Sequence, residues 1–154
     1  MARSKKQKMV GSPPVYRSFK PSGVMRSTLE LIKLELSEYE AIRLADYEGL
    51  DHAEAATEME ISRPTFSRLI ETARSKMARF LIDGRELVIE GGNIHFRDNV
   101  VKCCNCRHMF NIRMGSGLKN CPECGSDDLV SFAGNFGHGR CCAEIKKDES
   151  EEKE

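Results

Sequence analysis

Four cysteines carry the clearest chemical signal in this chain: Cys103-x-x-Cys106 and, fourteen residues on, Cys121-x-x-Cys124. Each C-x-x-C bends the backbone so that two sulfurs converge, and a pair of such bends closes a tetrahedral shell with metal–sulfur bonds of about 2.3 Å. The spacing predicts one structural zinc per chain, with iron the main competitor because a four-thiolate site accepts it too. A closed four-sulfur shell leaves no open position for catalysis. Pro122 and Gly125 suit a tight knuckle, and Lys102, Arg107, Arg113 and Lys119 lie close enough in sequence to offset the excess thiolate charge. Cys104 lacks the two-residue spacing to Cys106. With His138, Cys141 and Cys142 it allows either a second metal or redox site, or unpaired thiols in a glycine-rich tail; the tail is the simpler reading. His108 is expected to pack on the ribbon surface, and His52 and His95 have no assigned role.

A second group of residues suits a polyanion. Arg63, Thr65, Ser67, Arg68, Arg74 and Arg79 follow Ser62 in a segment with helical periodicity, and Lys5 and Lys6 stand in a basic amino-terminal arm. Arginine makes bidentate contacts with guanine, while Ser and Thr serve bases or phosphates. Residues 62–79 hold five Arg or Lys against one Glu, whereas residues 37–60 hold eight acids against one Arg. The net charge of zero therefore hides a segregated distribution. Residues 1–26 carry seven Lys or Arg and no acid, and residues 144–154 carry six acids against three lysines. A basic arm ahead of a folded module fits DNA, and the acidic end reads as a solubilising tail.

The elements that must position these groups are mostly helical in the first two thirds. Ser37 with Glu40 spells a capping box and starts a helix whose apolar face is Ala41, Ile42, Leu44 and Ala45, ending at Gly49. Asp51 with Glu54 repeats the signal for a second helix to Met59. A third opens after Ser62, with Pro64 in its first turn. There Phe66, Leu69, Ile70, Ala73, Met77, Phe80 and Leu81 fall within an arc of about 120° at about 100° per residue. Asp83-Gly84 stops it. Ala55, Met59, Ile61, Phe66 and Leu69 lock the second helix against the third across the turn Glu60-Ile61-Ser62. The turn position that usually holds Gly is Glu60, and a positive φ there costs a non-Gly residue about 1 kcal/mol. Leu87-Val88-Ile89 and Ile94-His95-Phe96 flank Glu90-Gly91-Gly92-Asn93 and read as a β-hairpin. Residues 29–34 are apolar and of open type.

The fold expected from this pattern is a mainly α amino-terminal helix-turn-helix domain of three helices, followed by a small β zinc ribbon. The boundaries are 1–28 for the basic extended arm, 29–98 for the helical domain with its terminal hairpin, 99–134 for the ribbon, and 135–154 for a flexible glycine-rich and acidic tail. Seven cysteines without a secretory leader point to metal before disulfides and to the cytoplasm. No apolar stretch approaches the roughly 20 residues that span a bilayer. No nucleophile motif, phosphate loop or paired acid suggests an enzyme or a small-molecule substrate.

The stretch Leu36-Ser37-Glu38 through Ala41-Ile42-Arg43-Leu44-Ala45-Asp46-Tyr47-Glu48-Gly49-Leu50 resembles the opening of the sigma-factor region-four fold. A closer resemblance is to an uncharacterised prokaryotic family of predicted DNA-binding proteins. It rests on the basic start, Phe19-Lys20-Pro21-Ser22-Gly23, the stretch from Glu40 to Gly49, Ile61-Ser62-Arg63-Pro64-Thr65-Phe66-Ser67-Arg68, and Ile89-Glu90-Gly91-Gly92-Asn93. That covers roughly residues 1–95 and implies DNA binding. No stretch has room for the promoter-melting domain of a complete sigma factor. The function expected is a sequence-specific binder of double-stranded DNA, acting in transcription regulation, with a homodimer expected by analogy. The alternative is a protein-interaction or metal-handling adaptor that uses the ribbon with Cys141 and Cys142.

Overall fold

The computed structural model describes residues 7–138. Lys5, Lys6, Cys141, Cys142 and the acidic tail lie outside the described residues. The described residues divide into two compact units, 7–10 with 16–94, and 11–15 with 95–138.

In the first unit the described strands are β1 (Lys8–Val10), β2 (Ser18–Phe19), β3 (Leu31–Leu34) and β4 (Glu86–Ile89). β4 is the centre of a three-stranded sheet, antiparallel to β2 and parallel to β3. The β3–β4 register runs from Leu31 opposite Glu86 to Leu34 opposite Ile89. β3 alternates, with Ile32 and Leu34 buried while Leu31 and Lys33 face water, the period of two of a half-buried strand. Between β3 and β4 come α1 (Leu36–Ile42), a π-helical turn (Arg43–Tyr47), α2 (His52–Glu58) and α3 (Arg63–Asp83).

This overturns the expected mainly α three-helix domain followed by a small ribbon. The described residues hold four α-helices, with 36% of residues helical and 23% in strands distributed over several sheets. The physical reason is a long-range pairing. The apolar segment 29–34 contributes β3, which takes the edge of β4 and occupies hydrogen bonds that a local hairpin would have used. Glu86–Ile89 therefore pairs with β2 and β3 and not with Ile94–Phe96. Gly91 and Gly92 turn the chain at φ of 77° and 96°, values that favour glycine. The Gly91 carbonyl accepts from the Leu36 N–H, tying the turn to the start of α1.

The helix ends follow their local chemistry in two cases of three. Asp51 and Glu54 form a reciprocal capping box on α2, and Ser62 accepts from the Thr65 N–H at the start of α3. α1 starts one residue before Ser37, with Glu35 at its N-cap and no side-chain cap. Ser37 is buried, and Glu40 instead holds Arg43 at 2.6 and 2.8 Å.

The core of this unit is Ala41, Leu44, Ala55, Ala56, Met59, Phe66 and Ile70, with Ile42, Ala45, Leu50, Ile61 and Leu69 packed around it. Ala55 and Ala56 let α2 lie close to α3, and the turn between them is held by Ile61 N–H to the Ala56 carbonyl at 3.0 Å. Glu60 sits in that turn at φ 57°. Along α3 the expected apolar arc is buried at Phe66, Ile70 and Ala73, half-buried at Leu69, Met77 and Phe80, and lost at Leu81, which is 73% exposed. The helix outruns the core on which its first half packs.

The second unit is built on β6 (Asp98–Cys103), following β5 (Ile94–Phe96). β6 lies between β7 (Met109–Arg113) and β8 (Leu129–Ser131), antiparallel to both. α4 (Phe132–Asn135) closes over it. Buried Asn99 donates to the Ser131 hydroxyl at 2.7 Å and accepts from the Ala133 N–H at 2.9 Å, which fixes α4 to the sheet. Phe96 packs against Phe136 and, edge-on at 5.5 Å, against His138. His138 also lies against buried His95; burial lowers both pKa values, and the neighbouring His95 lowers that of His138 further.

Candidate metal centre and candidate nucleic-acid face

The two knuckles of the second unit are built alike, offset by eighteen residues. Cys103 N–H donates to the His108 carbonyl and Arg107 N–H to that of Cys103; Cys121 N–H donates to the Ser126 carbonyl and Gly125 N–H to that of Cys121. The residue after each second cysteine adopts a positive φ, 62° at Arg107 and 76° at Gly125. Gly125 does so without penalty, whereas Arg107 carries the cost of a Cβ in that region.

This geometry brings Cys103, Cys106, Cys121 and Cys124 together, with all four sulfurs within 4.8 Å of one another. Cys103 Sγ is 3.6 Å from Cys124 Sγ, and Cys106 Sγ is 3.6 Å from Cys121 Sγ. A tetrahedron with bonds of about 2.3 Å has sulfur–sulfur edges of about 3.8 Å. The donor set and its dimensions therefore fit a structural metal such as zinc. Cys104 is exposed and is not one of the four.

Hydrogen bonds already tune these sulfurs. Asn105 Nδ2 lies 3.5 Å from Cys124 Sγ, and the Glu123 N–H approaches Cys121 Sγ at 3.4 Å. Asn105 and the Ser126 N–H bring Cys124 down to about 6. For Cys106 the downward pull of the His108 N–H is outweighed by desolvation and by its sulfur neighbours, which push it up to about 12. Sequence spacing singled out the four cysteines that cluster here but missed Asn105, whose contact depends on the closed knuckles.

In the first unit α3 carries the residues expected at DNA. Arg63, Arg68 and Arg79 are exposed and make no ion pair among the described residues. At 100° per residue Arg68, Thr72, Ser75 and Arg79 share one stripe, and Arg79 stands about 16 Å along the axis from Arg68. Arg74 points roughly 120° away from Arg68 on the same count. Its guanidinium is held by Asp46 at 2.7 and 3.2 Å. Lys76 is likewise held, by Glu38 and by the Lys33 carbonyl. Thr65 shares its hydroxyl with Ser62, and Ser67 hydrogen-bonds His52 Nδ1 at 2.8 Å. His52 stacks edge-on against Phe66, so it joins α2 to α3, a contact that the sequence left unassigned.

No helix among the described residues is long and apolar enough to cross a membrane. No solved structure matches this chain. A family model described as "Protein of unknown function DUF134" matches residues 1–97. Among relatives, a UPF0251 protein of Chloroherpeton thalassium is 50% identical over 130 residues, covering 82% of this chain and 86% of its own length. One from Halothermothrix orenii is 42% identical over 128 residues, covering 80% of this chain and 95% of itself. One from Moorella thermoacetica is 42% identical over 123 residues, covering 80% of each chain. These shares exceed what residues 1–97 alone supply, so the similarity reaches into the cysteine-bearing unit. The chain belongs to the DUF134/UPF0251 family.

Proposed function

We propose that this protein binds double-stranded DNA sequence-specifically and acts in transcription regulation. The observation that carries the reading is the charge arrangement on α3. Of its five cations between 62 and 79, Arg74 and Lys76 are neutralised internally by Asp46 and Glu38, while Arg63, Arg68 and Arg79 face water. A 21-residue helix, about 31 Å long, has the diameter and reach to lie in a major groove. In that pose Arg68 meets base edges, with Arg63 and Thr65 at the amino-terminal tip beside the groove, while the Ser67 hydroxyl is held by His52. Arg79 meets phosphate farther along, and the Arg74–Asp46 pair sets how α3 is presented. Lys5 and Lys6 add phosphate contacts from the arm. The ion in the four-cysteine site is zinc, one per chain, and its role is structural: it holds the two knuckles together. The protein performs no catalysis, works in the cytoplasm, and binds as a homodimer.

Fluorescence anisotropy with a preferred duplex tests this. Arg68→Ala is expected to weaken that complex by about 1–3 kcal/mol and to relax its sequence preference. Lys6→Ala is expected to weaken all duplexes alike and to reduce the salt slope by about 1. Equal affinity of Arg68→Ala and the parent protein would remove the role assigned to α3.

A further inference from the structure

The first unit contains a cavity of about 500 Å³ between the helices and the sheet. Leu34, Leu87 and Ile89 form its sheet side, Met77 and Phe80 of α3 another wall, and Ile42 a third. Tyr39 and Tyr47 border it as well, and Tyr47 is 83% exposed at its rim. We propose that this cavity is a binding site for a neutral, apolar small molecule with an aromatic or polycyclic body.

Its size lies within the range of pockets that enclose small organic ligands, and such pockets are mainly apolar with a few polar handles. The charge of the ligand follows from Arg43, the one ionic side chain in the lining. Its guanidinium is already bound by Glu40 at 2.6 and 2.8 Å and by Glu48 at 3.3 Å. With its guanidinium held by two carboxylates, Arg43 offers no free cation to an acid, and no carboxylate lines the cavity to meet an amine, so the desolvation of either on entry would go unrepaid. The phenols of Tyr39 and Tyr47 offer edge-on or stacked contact and a hydrogen bond to one polar group on the ligand.

A second observation lies in the backbone. The turn carrying Arg43 and Tyr47 is π-helical, with the Glu48 N–H reaching the Arg43 carbonyl at 2.8 Å. Such widened turns are rare and recur at functional sites. Here the widening bulges the helix at the cavity wall. α3 lines the cavity through Met77 and Phe80 and also bears Arg68, so an occupant is placed to alter the presentation of that helix. That consequence rests on the DNA-binding reading; the site itself does not.

The test uses the full-length, zinc-loaded protein and Nile red, a neutral aromatic dye whose emission rises in apolar surroundings. Saturable binding of one dye per chain is expected, with the methyl resonances of Ile42, Leu87 and Ile89 shifting and those of Val100 and Ile112 unmoved. Met77→Trp, which fills the cavity, is expected to weaken binding at least about tenfold. Ile82→Ser, on the 84% exposed surface of the same helix, is expected to leave it unchanged. Absence of saturation overturns the proposal, as does binding that Ile82→Ser abolishes and Met77→Trp spares. Should Met77→Trp fail to fold, the methyl shifts of the parent protein decide. A dye displaced as the chain dimerises would assign the cavity to a second copy and would also overturn it.

Discussion

Asp46 and Arg74, 28 residues apart, meet in a two-point contact with nitrogen–oxygen distances of 2.7 and 3.2 Å. The pair joins the π-helical turn to the middle of α3. Hydrogen bonding to Arg74 lowers the Asp46 pKa, and hydrogen bonding to Asp46 raises that of Arg74. Both groups are about half exposed, so solvent screens the pair and limits it to about 0–1 kcal/mol.

Arg74→Ala is therefore expected to cost less than about 1 kcal/mol in urea unfolding at pH 7. Because the Asp46 pKa is depressed in the fold, the pair's contribution is complete above the ordinary carboxylate value near 3.9 and fades as pH falls through the lower folded value. The difference between Arg74→Ala and the parent protein should shrink below about pH 4. A cost of several kcal/mol, or one that grows in acid, would contradict this reading of the pair.

Glu60 holds a left-handed turn conformation at φ 57°. Glycine relieves the Cβ conflict there but adds freedom to the unfolded chain, so the two effects partly offset. Glu60→Gly is expected to stabilise the protein by up to about 1 kcal/mol, and Glu60→Val to destabilise it by more than 1 kcal/mol, roughly. Chemical denaturation of the two variants checks the order, and the reverse order would show that the turn does not need this conformation.

Cys124→Ser is expected to reduce bound metal from one per chain to near zero, while Cys104→Ser leaves it at one. Metal binding requires thiolates, so uptake should release protons and weaken progressively as pH falls. Elemental analysis of the purified variants, with a chelator competition across pH, measures both. Retained metal in Cys124→Ser, or its loss in Cys104→Ser, would place the ligand set elsewhere.

What the sequence made legible was local. Two C-x-x-C spacings place all four sulfurs, since each knuckle is closed by backbone bonds spanning four or five residues. The starts of α2 and α3 are likewise local, written in Asp51, Glu54 and Ser62. What stayed hidden depends on distant partners. β3 becomes a strand because β4 lies beside it, a pairing of residues 55 positions apart, as with Leu31 and Glu86. Ser37 and Glu40 match the capping pattern, yet the chain enters α1 from β3, and Glu40 is claimed by Arg43. Periodicity marked Leu81 as core because it reports a helix face and not where the neighbouring layer ends. Basic residues on α3 were visible, but which of them stay uncompensated depends on Asp46 and Glu38, supplied by other elements.

The most direct test of the central claim is selection of bound duplexes from a randomised DNA pool by the purified, zinc-loaded protein, followed by sequencing. Sequence-specific recognition by α3 predicts an enriched motif with two half-sites about one helical turn apart, its enrichment lost in Arg68→Ala. No enrichment, with binding that disappears at moderate salt, would contradict sequence-specific recognition and favour an adaptor role for this fold.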